Sequence, residues 1–129
     1  MTPAPRPGIL DISPYVGGRA SVPGAAKVWK LSSNESPLGP GPAALEAMKT
    51  IAADIGIYPD GSAHVLREAI GETLGLDPAR IVCGGDGSGP LLTMLANGYL
   101  RPGDEAVFSE HAFLVYEIAT LANSAVPVK

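Results

Sequence analysis

The chain has 129 residues, 46% of them hydrophobic, and a formal net charge of -4. That length suits one ordinary domain with enough apolar mass for a core, which argues against disorder along the whole chain. With no basic run, the composition argues against a nucleic acid or an anionic membrane as partner, since both call for clustered Lys and Arg, and leaves small molecules as ligands.

There is no long apolar span and no signal-peptide order of basic, apolar and small residues, so a cytoplasmic protein is expected. The single cysteine, Cys83, has no internal disulfide partner and reads as a small buried hydrophobe.

Residues 1–29 read as an extended arm, because Pro3, Pro5, Pro7, Pro14 and Pro23 are too closely spaced for a helix. Ile9, Leu10, Ile12, Tyr15 and Val16 are too apolar for a solvated tail, so the arm is expected to lie across another surface, one candidate being a second subunit. Val28-Trp29-Lys30-Leu31 reads as a short strand and Ser33 to Pro40 as a polar turn.

Ala43, Ala44, Ala47, Met48, Ile51 and Ala52 recur at helical spacing and predict a first helix. Tyr58-Pro59-Asp60-Gly61 makes a turn, after which Ser62 is expected to cap a second helix carrying Val65, Leu66, Ala69, Ile70 and Leu74. Further on, strands are expected at Ile81–Cys83, Glu105–Phe108 and Ala125–Val128, with helices from Leu91 to Tyr99 and from Phe113 to Leu121. Strands alternating with helices imply an α/β fold with a mostly parallel sheet.

The stretch Ile81-Val82-Cys83-Gly84-Gly85-Asp86-Gly87-Ser88-Gly89-Pro90 is chemically the richest. A β-branched run breaks into glycines just before a helix, and the free N–H groups and positive dipole end of a helix start attract a phosphate. It is neither a Walker loop nor a Gly-x-Gly-x-x-Gly fingerprint, and a plain strand-to-helix turn remains the alternative.

Three stretches carry a family resemblance: Leu31-Ser32-Ser33-Asn34-Glu35-Ser36-Pro37-Leu38-Gly39-Pro40, Tyr58-Pro59-Asp60-Gly61, and the glycine loop followed by Tyr99-Leu100-Arg101-Pro102-Gly103-Asp104-Glu105. In order and spacing they resemble the start of a pyridoxal-phosphate-dependent aminotransferase of fold type I, nearest to the histidinol-phosphate aminotransferases. The resemblance implies the N-terminal part of the large domain, a partial three-layer sandwich with a mostly parallel sheet, occupying residues 30–129 behind the arm.

It further implies pyridoxal 5'-phosphate as cofactor, with its phosphate at Gly87 and Ser88 and its ring against Phe113. Tyr58 matches a tyrosine that reaches the phosphate of the neighbouring subunit in a homodimer. Asn34, Glu35 and Tyr116 fall on the substrate side, where the family moves an amino group between histidinol phosphate and 2-oxoglutarate in histidine biosynthesis. The loop departs from the family, with Gly89-Pro90 where two acidic residues are usual, and Pro90 removes one N–H donor from the helix start.

Transamination also needs a lysine bound to the cofactor, an acidic partner for the pyridine nitrogen and an arginine for the substrate carboxylate. The family carries all three beyond the stretch matched here. Lys27, Lys30, Lys49 and Lys129 are the only lysines, and none has the family's Ser-Lys context, so each reads as a surface charge. The expectation is therefore a domain truncated before the cofactor lysine, with no catalytic residue of its own and no activity alone.

His64 and His111 have no partner at ligand spacing, which argues against a metal site. Two other readings stay open: a non-catalytic phosphate-binding or dimerising α/β module, and a fragment of an aromatic amino acid aminotransferase.

Overall fold

A computed structural model describes residues 3–17, 21–31 and 33–129. Residues 1–2 and 18–20 of the arm and Ser32 of the first matched stretch lie outside the described residues. Four helices, α1 (Pro42–Ile51), α2 (His64–Leu74), α3 (Ser88–Tyr99) and α4 (Val115–Ala122), accompany two strands, β1 (Glu105–Val107) and β2 (Val126–Val128).

The strands pair in parallel, Glu105 opposite Val126 and Val107 opposite Val128, with α4 as the crossover between them. A parallel pair requires such a crossover, and an eight-residue helix spans it here. The α/β class and the parallel sense follow the expectation.

The sheet itself is smaller than expected. Val28–Leu31 and Ile81–Cys83 are not strands, because a β segment exists only where a neighbour supplies a ladder, and nothing pairs with either run among the described residues. Ile81 has extended backbone at φ -101° and ψ 129°, so local propensity is expressed while pairing is missing.

The packed part of the molecule is α3 against α4 with β1 and β2 beside them. Ala96, Ala119 and Ala125 are buried there with Thr120 and Asn123. The Asn123 amide donates to Asn97 Oδ1 at 3.0 Å and to the Ala119 carbonyl at 2.8 Å, tying the two helices together.

Phe113 and Leu114 precede α4, which begins two residues later than the apolar pattern indicates. A groove of about 260 Å³ runs between α3, α4 and β1, lined by Leu92, Leu95, Tyr99, Phe108 and Tyr116.

The surface that the arm lies across includes α4. The described part of the arm docks on its own chain: Arg6 Nη2 donates to the Ala122 carbonyl at 2.8 Å, and Ser124 Oγ donates to the Pro7 carbonyl at 2.8 Å. Gly8, at φ 89°, presses so closely on α4 that a Cβ there would stand 2.7 Å from the Leu121 carbonyl oxygen. The arm makes these contacts because the final carbonyl of α4, at Ala122, lies beyond the reach of the helix's own amides and the helix offers an apolar flank, and both suit a Pro-rich segment with an arginine and isoleucines.

The first two helices are joined less firmly to the rest. α1 packs against the single 3-10 turn Ala52–Asp54 that follows it, leaving Met48 and Ile51 exposed. α2 packs against the turn Pro78–Arg80: the Arg67 guanidinium donates to the Pro78 carbonyl from both Nε and Nη2, at 3.0 and 2.7 Å, and Gly71 admits the Pro78 ring where a Cβ would sit 2.7 Å from its Cγ.

Ser62 does not cap α2. The N-cap position is Ala63, at φ 49°, and the acceptor is the carboxylate of Asp60, which takes the His64 amide at 3.0 Å, the Ser62 amide at 2.9 Å and the Ser62 hydroxyl at 2.7 Å. A carboxylate outcompetes a hydroxyl here because it is charged and faces the positive end of the helix.

The accessible surface is 10871 Å², about 1.7 times the ~6,400 Å² expected of a folded monomer of 13.2 kDa. Much apolar surface is therefore uncovered, including Leu31, Ile55 and Val107.

Candidate functional site

The glycine loop is held at its entrance by the turn Pro78–Arg80, which Asp77 caps by accepting the Ala79 amide at 2.9 Å. After the extended run at Ile81, Gly84 lies against Leu91, where a Cβ would meet Cγ at 2.8 Å. Gly87 then turns the chain at φ 77° and ψ -152°, a conformation open in practice to glycine alone.

From that turn α3 starts at Ser88, three residues earlier than the apolar pattern indicates, and no side chain caps it. Space around Gly85, Gly87 and Gly89 is open, with no atom within 4 Å of where a Cβ would stand. The N–H groups of the first turn, less the one Pro90 lacks, and the dipole equivalent to about half a positive charge thus face an unfilled approach. Ser88 adds an exposed hydroxyl at the first helical position.

Aromatic rings gather ahead of α4. Phe113 meets Tyr116 with centroids 6.4 Å apart at 85°, and Tyr15 of the arm at 5.9 Å and 88°. Tyr116 continues to Phe108 at 6.1 Å. Near-perpendicular ring pairs are the preferred geometry of such contacts. Because α3 and α4 pack together, the loop residues Gly87 and Ser88 and the rings Phe113 and Tyr116 belong to one packed unit.

The other sequence-predicted residues stand apart. Tyr58 is 98% exposed, in a turn between α1 and α2, and Asn34 is exposed in the polar turn before α1. Glu35 forms an ion pair with Lys30. Among the described residues, α1 packs on the 3-10 turn behind it and not on α3.

Each lysine is engaged at the surface: Lys49 with Glu46 at 3.2 Å, Lys129 with Glu117 at 2.9 Å, Lys30 with Glu35, and Lys27 over the Trp29 ring at 3.9 Å. His64 lies 3.7 Å from Glu68 one turn along α2, and His111 is exposed in the turn before Phe113. Among the described residues no group of three or more His, Cys, Asp or Glu could hold a metal ion, and no helix is long and apolar enough to cross a membrane.

The Asp60 carboxyl lies well below the usual carboxylate range. The Ser62 hydroxyl, then the Ser62 and His64 amides, hold its pKa down from 3.8 to about 2. Sequence reasoning missed Arg6 as a partner of α4 and Tyr15 as a partner of Phe113; contacts between residues so far apart in the chain leave only a composition signal, the apolar and basic content of the arm.

Comparison with known proteins decides what this arrangement is similar to. The chain is 58% identical over 127 residues to the histidinol-phosphate aminotransferase of Rhodopseudomonas palustris, covering 98% of this chain. It is 54% identical over 126 residues to that of Paramagnetospirillum magneticum. The chain is a relative of the histidinol-phosphate aminotransferases. It spans about a third of their length, 34% in both cases.

A solved structure agrees: the histidinol-phosphate aminotransferase of Sinorhizobium meliloti, in complex with pyridoxal-5'-phosphate, superposes with a TM-score of 0.70 at 29% identity, covering 74% of this chain and 26% of that one. No protein-family profile matches the chain. The α/β unit described above thus matches a portion of the aminotransferase fold.

Proposed function

We propose that this chain is the N-terminal portion of a histidinol-phosphate aminotransferase, contributing the phosphate end of a pyridoxal-5'-phosphate site to amino transfer between histidinol phosphate and 2-oxoglutarate. The observation that carries this reading is the start of α3: Gly87 in a glycine-only conformation, an uncapped first turn and open space in front of it. These features fit a phosphate, which needs backbone donors approached closely and a positive dipole. When bound, the cofactor supplies an electron sink that lets the amino group move between donor and acceptor.

The residues of this chain bind and orient. The amides around Gly87 and Ser88 and the Ser88 hydroxyl receive the phosphate, while Phe113 offers a ring face to the pyridine and Tyr116 flanks it toward the substrate. Asn34 and Glu35 would stand on the amino-acid side of the site, as their match to the substrate-side turn of the relatives implies. Tyr58, 98% exposed and unused by its own fold, suits a reach into a second subunit, so the working form is a homodimer. The place of action is the cytoplasm.

No residue here holds or moves the transferred proton. The four lysines make contacts at the surface, and none is assigned covalent attachment of the cofactor. Mixing the purified chain with pyridoxal phosphate, histidinol phosphate and 2-oxoglutarate is expected to yield glutamate no faster than the protein-free mixture. Faster formation that is lost on mutating any one of the four lysines would overturn this assignment of roles.

A further inference from the structure

We propose that Tyr15 is a positioning residue for Phe113, brought to it by docking of the N-terminal arm on α4 of the same chain. The inference rests on the proposed function only for what Phe113 does; the contact itself stands on geometry. Phe113 precedes α4 in a turn and its ring is part-exposed, at 43%, so packing beneath it does not by itself fix the ring plane. Two near-perpendicular rings do so, Tyr116 from within α4 and Tyr15 from the arm.

Tyr15 has a defined place because the arm is latched upstream. Arg6 donates to the last helical carbonyl of α4 at Ala122, the Ser124 hydroxyl holds the Pro7 carbonyl, and Gly8 fits where no side chain could against Leu121. The short 3-10 turn Ile9–Asp11 then redirects the arm back along α4, toward the end where Phe113 lies, past Leu114 and Ile118. Arm docking and the orientation of the ring are thereby one event, and the arm senses whether α4 is formed.

The test compares Tyr15→Leu, Tyr15→Phe and Arg6→Ala in the full chain, reading the Phe113 ring resonances by NMR and the Kd for pyridoxal phosphate by absorbance. Tyr15→Leu is expected to move the Phe113 ring shifts while leaving the buried Ala119 and Ala125 signals in place. It is also expected to weaken pyridoxal phosphate binding roughly three- to tenfold, the range of an aromatic pair.

Tyr15→Phe, which keeps the ring contact, should restore both, and Arg6→Ala should reproduce the ring shifts in part by loosening the latch. Unmoved Phe113 resonances in Tyr15→Leu, or an unchanged Kd where the parent chain binds, would overturn the proposal. If no variant, parent included, binds pyridoxal phosphate, the functional reading fails and the ring shifts alone decide whether Tyr15 positions Phe113.

Discussion

Asp60 shows how one side chain sets a local structure that the residue pattern alone misassigns. Its carboxylate gathers three donors, so its folded pKa lies near 2, below its usual 3.8. A lowered pKa means the charged form is favoured in the folded state; the stabilisation is complete above about 3.8 and disappears as pH falls through about 2. The α2 N-terminus should therefore keep its cap at pH 3, followed by the His64 amide shift, and Asp60→Asn should abolish that titration. A midpoint near 4 would show that the cap does not form.

Ala63 beside it holds a left-handed conformation at φ 49°, which costs a non-glycine residue about 1 kcal/mol. Ala63→Gly should raise the stability of α2 by about that amount in a denaturant titration. Gly87 behaves in the opposite way. The space beside it is open, so replacement acts through its φ of 77° and not through a clash, and Gly87→Ala should cost ~1–3 kcal/mol while Gly85→Ala, which has neither constraint, is tolerated.

At the scale of elements, the helices were legible because their apolar residues recur every three or four positions: α2 and α3 contain the predicted runs, and α1 contains all of its run but Ala52, which opens the 3-10 turn behind it. Their starts were less so. α3 begins at Ser88 because Gly87 makes the turn, and α2 is capped by Asp60 and not by the adjacent Ser62; both depend on backbone angles that composition does not encode. The strands at Val28–Leu31 and Ile81–Cys83 were misread because β-branched sequence gives propensity, whereas a ladder needs a neighbour.

Of the candidate site, Gly87, Ser88, Phe113 and Tyr116 lie in the packed α3–α4 unit, while Tyr58, Asn34 and Glu35 lie on segments that their own chain does not bring to it. A ten-residue helix such as α1, packed only on the turn behind it, is marginal in water. Amide hydrogens of residues 42–51 should exchange close to the rate of an unstructured peptide, while those around Ala96, Ala119 and Thr120 are protected. Equal protection in both would show that α1 is covered by something else.

For the whole molecule, surface decides behaviour. With about 1.7 times the area expected of a folded monomer of its mass, the chain leaves Leu31, Ile55, Val107 and much of α1 in water, and exposed apolar surface of that extent associates. Sedimentation at micromolar concentration should show species larger than a monomer. Deleting the arm should not abolish this, because the arm covers α4 of its own chain and its removal uncovers more apolar surface. A clean monomer would contradict the surface argument.

The central claim is that the turn at Gly87 and the start of α3 form an anion cradle, and the most direct measurement is an NMR titration of the chain with inorganic phosphate and then pyridoxal phosphate. One helix start contributes ~1 kcal/mol per favourable charge interaction, so binding should be weak, roughly millimolar for phosphate. Amide shifts of residues 85–91, Pro90 aside, should move with both ligands and stay still in Gly87→Ala. Shifts that move elsewhere while residues 85–91 remain unchanged would contradict it and leave the loop a simple turn.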